Sequence, residues 1–118
     1  MSAATLGVVI PCFNEGEWIR RSVEALHVAA RTADWPVEVV IVDDGSDRET
    51  AAIIDSLESS GRARVVRQAN AGRFDARLTG LRALSTDHVF LLDSRVLIAP
   101  HSLVTLRDRL RAEPSSAW

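Results

Sequence analysis

Residues 39–42, Val-Val-Ile-Val, end abruptly in two carboxylates, a glycine and a serine. Four apolar residues, three of them valine, are typical of a strand that is buried on both faces of a sheet. Two other apolar runs, at residues 8–11 and 89–92, also lead into polar side chains. Because ligands of open α/β sheets bind at the carboxyl ends of the strands, the sequence predicts a site at that edge.

Strand and helix patterns alternate along all 118 residues, which predicts one α/β domain. We expect a three-layer sandwich with a mainly parallel, Rossmann-like sheet. Its four strands are predicted at residues 7–11, 37–42, 64–67 and 88–92. Right-handed crossovers favour the spatial order third, second, first, fourth.

Several residues are placed to begin or end helices. Asn14 with Glu17, and Ser46 with Glu49, are spaced as capping boxes for the first two helices. Gly61 is predicted to end the second helix as a left-handed cap. A third helix is expected over residues 74–84, and a last one begins near residue 100.

Composition excludes several classes of protein. All fourteen basic residues are arginine, so no mechanism here uses a lysine Schiff base or a P-loop lysine. The net charge of -2 gives no indication of a nucleic-acid partner. The single cysteine excludes an internal disulfide and fits a cytoplasmic location. No apolar run in the chain is long enough to span a membrane, although a longer parent protein could be membrane-associated.

The acids at the strand ends are candidate ligand-binding residues. Asp43 and Asp44 are adjacent, and successive strand side chains point to opposite faces, so one is expected to face a ligand and the other to be structural. The alternative is a helix-entry turn in which both satisfy backbone amides. Asp93 follows the fourth strand in the same setting, which favours a site at this edge.

Two arginines and the cysteine are further candidates. Arg73 and Arg77 are four residues apart near a helix start, so they share a face and could meet an anion there. The alternative is an exposed helix face. Cys12 has no histidine near it in sequence, so a small residue in a tight loop is favoured over a nucleophile.

Four blocks of sequence resemble the donor-binding half of family 2 glycosyltransferases of the GT-A fold. The blocks are VIPCFNE at residues 9–15, IVDDGS at 41–46, the segment 70–81 that begins NAG, and LLDS at 91–94. They occur in the family's order and spacing over nearly the whole chain, so the resemblance is specific.

The resemblance implies a donor-binding domain over residues 1–118 of an enzyme that transfers a sugar, expected to be a hexose, from a UDP- or GDP-linked donor. The implied mechanism is inverting, the acceptor is unknown, and a role in cell-envelope polysaccharide synthesis is expected. The residues expected to bind the donor are Pro11, Cys12, Phe13, Glu15, Asp43, Asp44, Gly72, Arg73, Arg77, Asp93, Ser94 and Arg95.

The chain departs from the family's acid-x-acid motif. Asp93 is the expected ligand of a divalent metal, Mn²⁺ or Mg²⁺, but Arg95 stands where the family most often has the second acid. An arginine would repel the cation and could itself grip phosphate oxygens. Alternatively, Arg95 points to solvent, and Asp93 holds the ion with an acid from beyond residue 118.

The family's acceptor half, with its general base, would lie beyond residue 118. The chain alone is therefore expected to be incomplete and inactive, and a face left uncovered could cause self-association. Two other functions stay open, a non-catalytic nucleotide-binding module and a receiver-like signalling domain. The absence of lysine disfavours the second of these.

Overall fold

The computed structural model describes residues 5–112 as one parallel sheet covered by helices on both faces. Strands and helices alternate as the sequence predicts. In chain order they are β1 Leu6–Cys12, α1 Gly16–Ala33, β2 Val37–Asp43, α2 Arg48–Ser59, β3 Arg64–Arg67, α3 Arg73–Arg82, β4 His88–Leu91 and α4 Ser102–Ala112.

The sheet has the order β3-β2-β1-β4, and all neighbouring strands run parallel. This confirms the predicted order and the three-layer class. Cys12 and Asp43 are level at the carboxyl ends of the two central strands. The fourth strand ends at Leu91, one residue before the predicted end, although the Leu92 amide still donates to the Val9 carbonyl at 2.9 Å.

Alternating side chains of β1 point into two separate cores. Val8, Ile10 and Cys12 are buried in the larger core with residues of α1, α2 and α4. Val9 faces the opposite side, where it packs in a smaller core with Ala76 of α3. The two cores make β1 inaccessible on both faces, and only its carboxyl end is left for polar residues.

The capping boxes predicted at Asn14 and Ser46 are wrong. Asn14 has a left-handed φ of 56°, and its side-chain oxygen accepts from the Asp47 amide at 2.7 Å instead of capping α1. The N-cap of α1 is Glu15, without a side-chain cap, and the N-cap of α2 is Asp47, which accepts from the Thr50 amide at 2.9 Å. The cause is tertiary, because the loops after β1 and β2 hydrogen-bond to each other.

The end of α2 follows the prediction. Gly61 has a φ of 75°, and its amide donates to the Glu58 carbonyl at 3.1 Å. The Arg62 amide donates to the Leu57 carbonyl at 2.9 Å, which completes the hydrogen-bond pair of a Schellman motif. The left-handed cap at Gly61 is therefore confirmed.

No helix within residues 5–112 is long and apolar enough to cross a membrane.

Candidate functional site

A cavity of about 210 Å³ opens at the carboxyl ends of β1, β2 and β4. From β1 the chain continues to β2 and β3 on one side of the sheet and then returns to place β4 on the other side of β1. The cavity therefore lies at the topological switch point, where open α/β sheets bind ligands. It is lined by Pro11, Cys12, Phe13, Glu15, Asp44, Asn70, Gly72, Arg73, Arg77, Asp93 and Ser94.

Ten of the twelve residues predicted for the site line this cavity, and Asp43 and Arg95 do not. Asn70 lines it without having been predicted, although it belongs to the sequence block that begins NAG. Its contribution depends on the fold, because it reaches the end of β2 only when the loop before α3 turns back across the sheet edge.

The adjacent acids Asp43 and Asp44 are both buried but point to different places. One oxygen of Asp43 accepts from the Ser46 amide at 2.9 Å, which closes the turn after β2. Gly45, which lies within this turn, has a φ of 78°, and a side chain there would meet the Asn70 amide. Asp44 lines the cavity and Asp43 does not, yet both carboxylates accept from backbone amides, as the alternative predicted.

Asp44 accepts four hydrogen bonds from the loop that precedes α3. Its Oδ1 accepts from the Gln68 side chain and the Ala71 amide, both at 2.9 Å. Its Oδ2 accepts from the Gly72 amide at 3.0 Å and the Asn70 side chain at 3.3 Å. Burial would raise the pKa of Asp44, but the hydrogen bonds outweigh it and lower the pKa below its ordinary value. Asp44 therefore holds one wall of the cavity in place as a carboxylate.

The cavity also holds two arginines from α3. A guanidinium nitrogen of Arg73 lies 3.8 Å from Asp93, and the Arg73 side chain is largely exposed. Arg77, one turn further along, is only partly exposed and makes no ion pair within residues 5–112. Arg77 is therefore a cation that is available to an anion entering the cavity.

Arg95 lies outside the cavity. Its Nε is 3.2 Å from Oε2 of Glu15, and its guanidinium carbon is 5.5 Å from the centre of the Trp18 ring. Its backbone amide donates to Asp93 at 2.9 Å. Arg95 therefore does not line the cavity, and its side chain is 64% exposed, as in the solvent-facing alternative, but it also contacts Glu15 and Trp18.

Cys12 lines the cavity but is almost completely buried. Burial raises the pKa of its thiol to about 11, with a smaller contribution from Asp43. The thiol is therefore protonated at neutral pH and unsuited to act as a nucleophile. This agrees with the prediction that Cys12 is not a nucleophile, but Cys12 is the last residue of β1 and not part of the loop.

The side chains available as metal ligands do not form the two-acid metal site that the family's acid-x-acid motif implies. No group of three or more histidine, cysteine or acidic side chains within residues 5–112 is arranged to hold a metal ion. Asp93 is the single acid of the motif, and it faces Arg73. Mg²⁺ is usually held by one or two carboxylates together with substrate phosphates. With Asp93 as the single carboxylate, the phosphates of a bound substrate would have to supply most of the other ligands of the ion.

The strand order and the cavity define an α/β domain of the GT-A type, the fold of the solved glycosyltransferases that the chain matches. The chain belongs to glycosyl transferase family 2, whose family model matches residues 7–117. Both findings confirm the expected fold and family.

Relatives cover almost the whole chain. Glycosyltransferase GlyG of Streptococcus pneumoniae serotype 4 is 27% identical over 90% of this chain and 35% of its own length. S. aureus TarS in complex with UDP matches with a TM-score of 0.78 and 23% identity, over 93% of this chain and 33% of that one. Mannosyltransferase PcManGT from Pyrobaculum calidifontis, in complex with GDP-Man and Mn²⁺, has a TM-score of 0.73 and 22% identity, over 92% and 33%. The chain spans about a third of GlyG, of the PcManGT chain and of the TarS 1-349 chain in the UDP complex, and 20% of the longer TarS chain.

Proposed function

We propose that the cavity binds a UDP- or GDP-linked sugar and that residues 1–118 are the donor-binding part of a glycosyltransferase. The observation that carries this proposal is Arg77, a cation without an ion pair among the described residues, in a cavity at the sheet's switch point. The complexes of TarS with UDP and of PcManGT with GDP-Man support the same ligand class.

The diphosphate is best placed near the start of α3. The N-cap of this helix is Gly72, which lines the cavity and supplies no side-chain cap, so the first amides of the helix are available to phosphate oxygens. Arg77 on the same helix adds a charge that can bind two oxygens at once. Positioning the donor and stabilising the departing diphosphate would be this domain's share of catalysis.

The nucleoside is best placed against residues 11–13 and the end of β2. Phe13 is about half-exposed at the cavity and offers an apolar surface for a base. The two oxygens of Asp44 offer about four acceptor positions, and residues 68–72 already fill four. A nucleoside N–H therefore binds Asp44 only by displacing one of these donors. Without such a displacement, Asp44 affects base binding only by holding residues 68–72 in position.

The remaining steps belong to the parent protein. We expect the general base for an inverting transfer beyond residue 118, and the acceptor, expected in cell-envelope polysaccharide synthesis, stays a prediction. Cytoplasmic location, membrane association of the parent and self-association of this chain stay predictions as well. The family match leaves no support for the receiver-like alternative.

Calorimetric titration with UDP, GDP and ADP tests the proposal. We expect binding of UDP or GDP, weakened by Arg77→Ala by about 1.5–3 kcal/mol, the scale of a hydrogen bond to a charged group. Arg82→Ala is the matched control, because Arg82 is on the same helix, exposed and absent from the cavity lining. Equal effects of the two substitutions, or no binding of any nucleotide, would contradict the proposal.

A second candidate function is a nucleotide-binding module without transferase activity. The position of Arg95 favours it, because an arginine stands where the motif would have its second metal-binding acid. The two functions separate in the full-length parent, where donor binding without release of nucleoside diphosphate in the presence of Mn²⁺ or Mg²⁺ would support the module.

A further inference from the structure

Arg95 connects two loops at the mouth of the cavity. One is the loop after β4, which carries Asp93, and the other is the loop after β1, which carries Glu15. Oε2 of Glu15 is buried and accepts no hydrogen bond, and Nε of Arg95 lies 3.2 Å from it. The contact is therefore a charge pair without hydrogen-bond geometry, and it gives this buried oxygen its compensating charge.

Two further contacts fix the position of Arg95. Its guanidinium group lies over the Trp18 ring, 5.5 Å from the centre, and its amide donates to Asp93. Arg21 lies over the same ring at 5.0 Å but makes no ion pair with an acid in the described part of the chain. The two arginines thus share an aromatic partner and differ in their contact with Glu15.

Glu15 poses an electrostatic difficulty for an anionic ligand. It lines the cavity, and a carboxylate oxygen shielded from water repels a nearby phosphate more strongly than an exposed one does. The other acids of the cavity are already compensated, Asp44 by hydrogen bonds and Asp93 by Arg73. Glu15 depends on Arg95 alone among the ion pairs of residues 5–112.

We propose that Arg95 is a positioning residue that acts through Glu15, holding the loop after β1 against the cavity and offsetting the Glu15 charge so that a nucleoside diphosphate can bind. This inference rests on the proposed function. It gives the arginine of the altered acid-x-acid motif a role that requires no contact between Arg95 and the phosphates.

Calorimetry with the nucleoside diphosphate that binds best, UDP or GDP, tests the inference in four variants. Arg95→Ala is expected to weaken binding roughly tenfold, the scale of one uncompensated charge near the ligand. Arg21→Ala is expected to leave binding unchanged. Glu15→Gln removes the charge to be offset, so the double variant with Arg95→Ala is expected to bind within about twofold of Glu15→Gln alone.

Two outcomes of the titrations would overturn the inference. If Arg95→Ala weakens nucleotide binding by the same factor in the Glu15→Gln background as in the wild type, Arg95 acts on the nucleotide directly. If Arg95→Ala and Arg21→Ala behave alike, the contact with Glu15 has no role in binding.

Amide hydrogen exchange without nucleotide supplies a second readout. We expect residues 13–16 to exchange faster in Arg95→Ala than in Arg21→Ala, because only the first substitution releases Glu15. A wild-type chain that binds no nucleotide would defeat the proposed function, while the exchange comparison would still decide whether Arg95 holds this loop. Equal exchange in the two variants would overturn the inference.

Discussion

Asp44 illustrates how one side chain can link the fold to the site. Its hydrogen-bond donors lie 24 to 28 residues further along the chain, so the carboxylate joins the end of β2 to the loop before α3. The sequence predicted that one of the two adjacent acids would face the cavity, because alternation along a strand is local. It could not predict these donors, since they meet Asp44 only after β3 has paired with β2.

Asp44→Asn is expected to destabilise the protein by about 1–3 kcal/mol at pH 7, because the buried donors lose a charged acceptor. The folded-state pKa of Asp44 is lowered, so its stabilising contribution is complete above the unfolded pKa of about 3.9 and is lost as the pH falls through the folded pKa. Urea unfolding should therefore show a smaller difference in the free energy of unfolding between the wild type and Asp44→Asn at pH 3 than at pH 7. Asp75→Asn, at an exposed position of α3, is the control, and an equal loss there would contradict the assignment.

Among the elements, α3 packs most closely on the sheet. A Cβ on Gly80 would lie 2.3 Å from Cγ1 of Val9 and 3.2 Å from Cγ2 of Val42. Both valines are fully buried, and a β-branched side chain has little rotamer freedom to move aside. The glycine therefore sets the distance between α3 and the two central strands, and with it the position of Arg77 at the cavity.

Gly80→Ala is expected to destabilise the protein by about 1–3 kcal/mol through overpacking, although helix propensity alone would stabilise it by about 1 kcal/mol. Denaturant unfolding measures the sum of the two effects. Arg82→Ala, two residues along the same helix and exposed, is expected to change stability by less than about 0.5 kcal/mol. A more stable Gly80→Ala protein would show that the helix moves away from the sheet without cost.

Helix starts were the elements least predictable from sequence. The capping-box spacing at Ser46 is a local pattern, and Asp47 one residue later is an equally good cap by residue type. The tertiary hydrogen bond from the Asn14 amide to Ser46 decides between them. The end of α2 was predictable because Gly61 alone supplies the left-handed conformation there.

At the scale of the whole molecule, the sheet order was predictable and the environment of Arg95 was not. Alternating strand and helix patterns joined by right-handed crossovers allow few arrangements of a parallel sheet, and the order that they favour is the one observed. Trp18 and Arg95 are 77 positions apart in sequence, so their contact depends on the pairing of β4 with β1. Patterns of residue type along the chain carry no signal for such a pair.

The composition of the whole chain makes its alkaline stability depend mainly on one thiol. There is no tyrosine, and every basic residue is arginine, so Cys12 is the one side chain that titrates between pH 9 and 11. Burial raises its pKa from 9.0 to about 11. The unfolded state releases the proton first, so the free energy of unfolding should fall as the pH rises through this interval.

The expected loss is about 2 kcal/mol between pH 8 and pH 11, which follows from the raised pKa of Cys12. Urea unfolding across this range measures it in the wild type and in Cys12→Ala. The alanine variant begins less stable because it leaves a small cavity, but its stability should stay nearly constant with pH. If both proteins lose stability in parallel, the thiol is not responsible. If neither does, Cys12 is more accessible to water than its burial in the sheet implies.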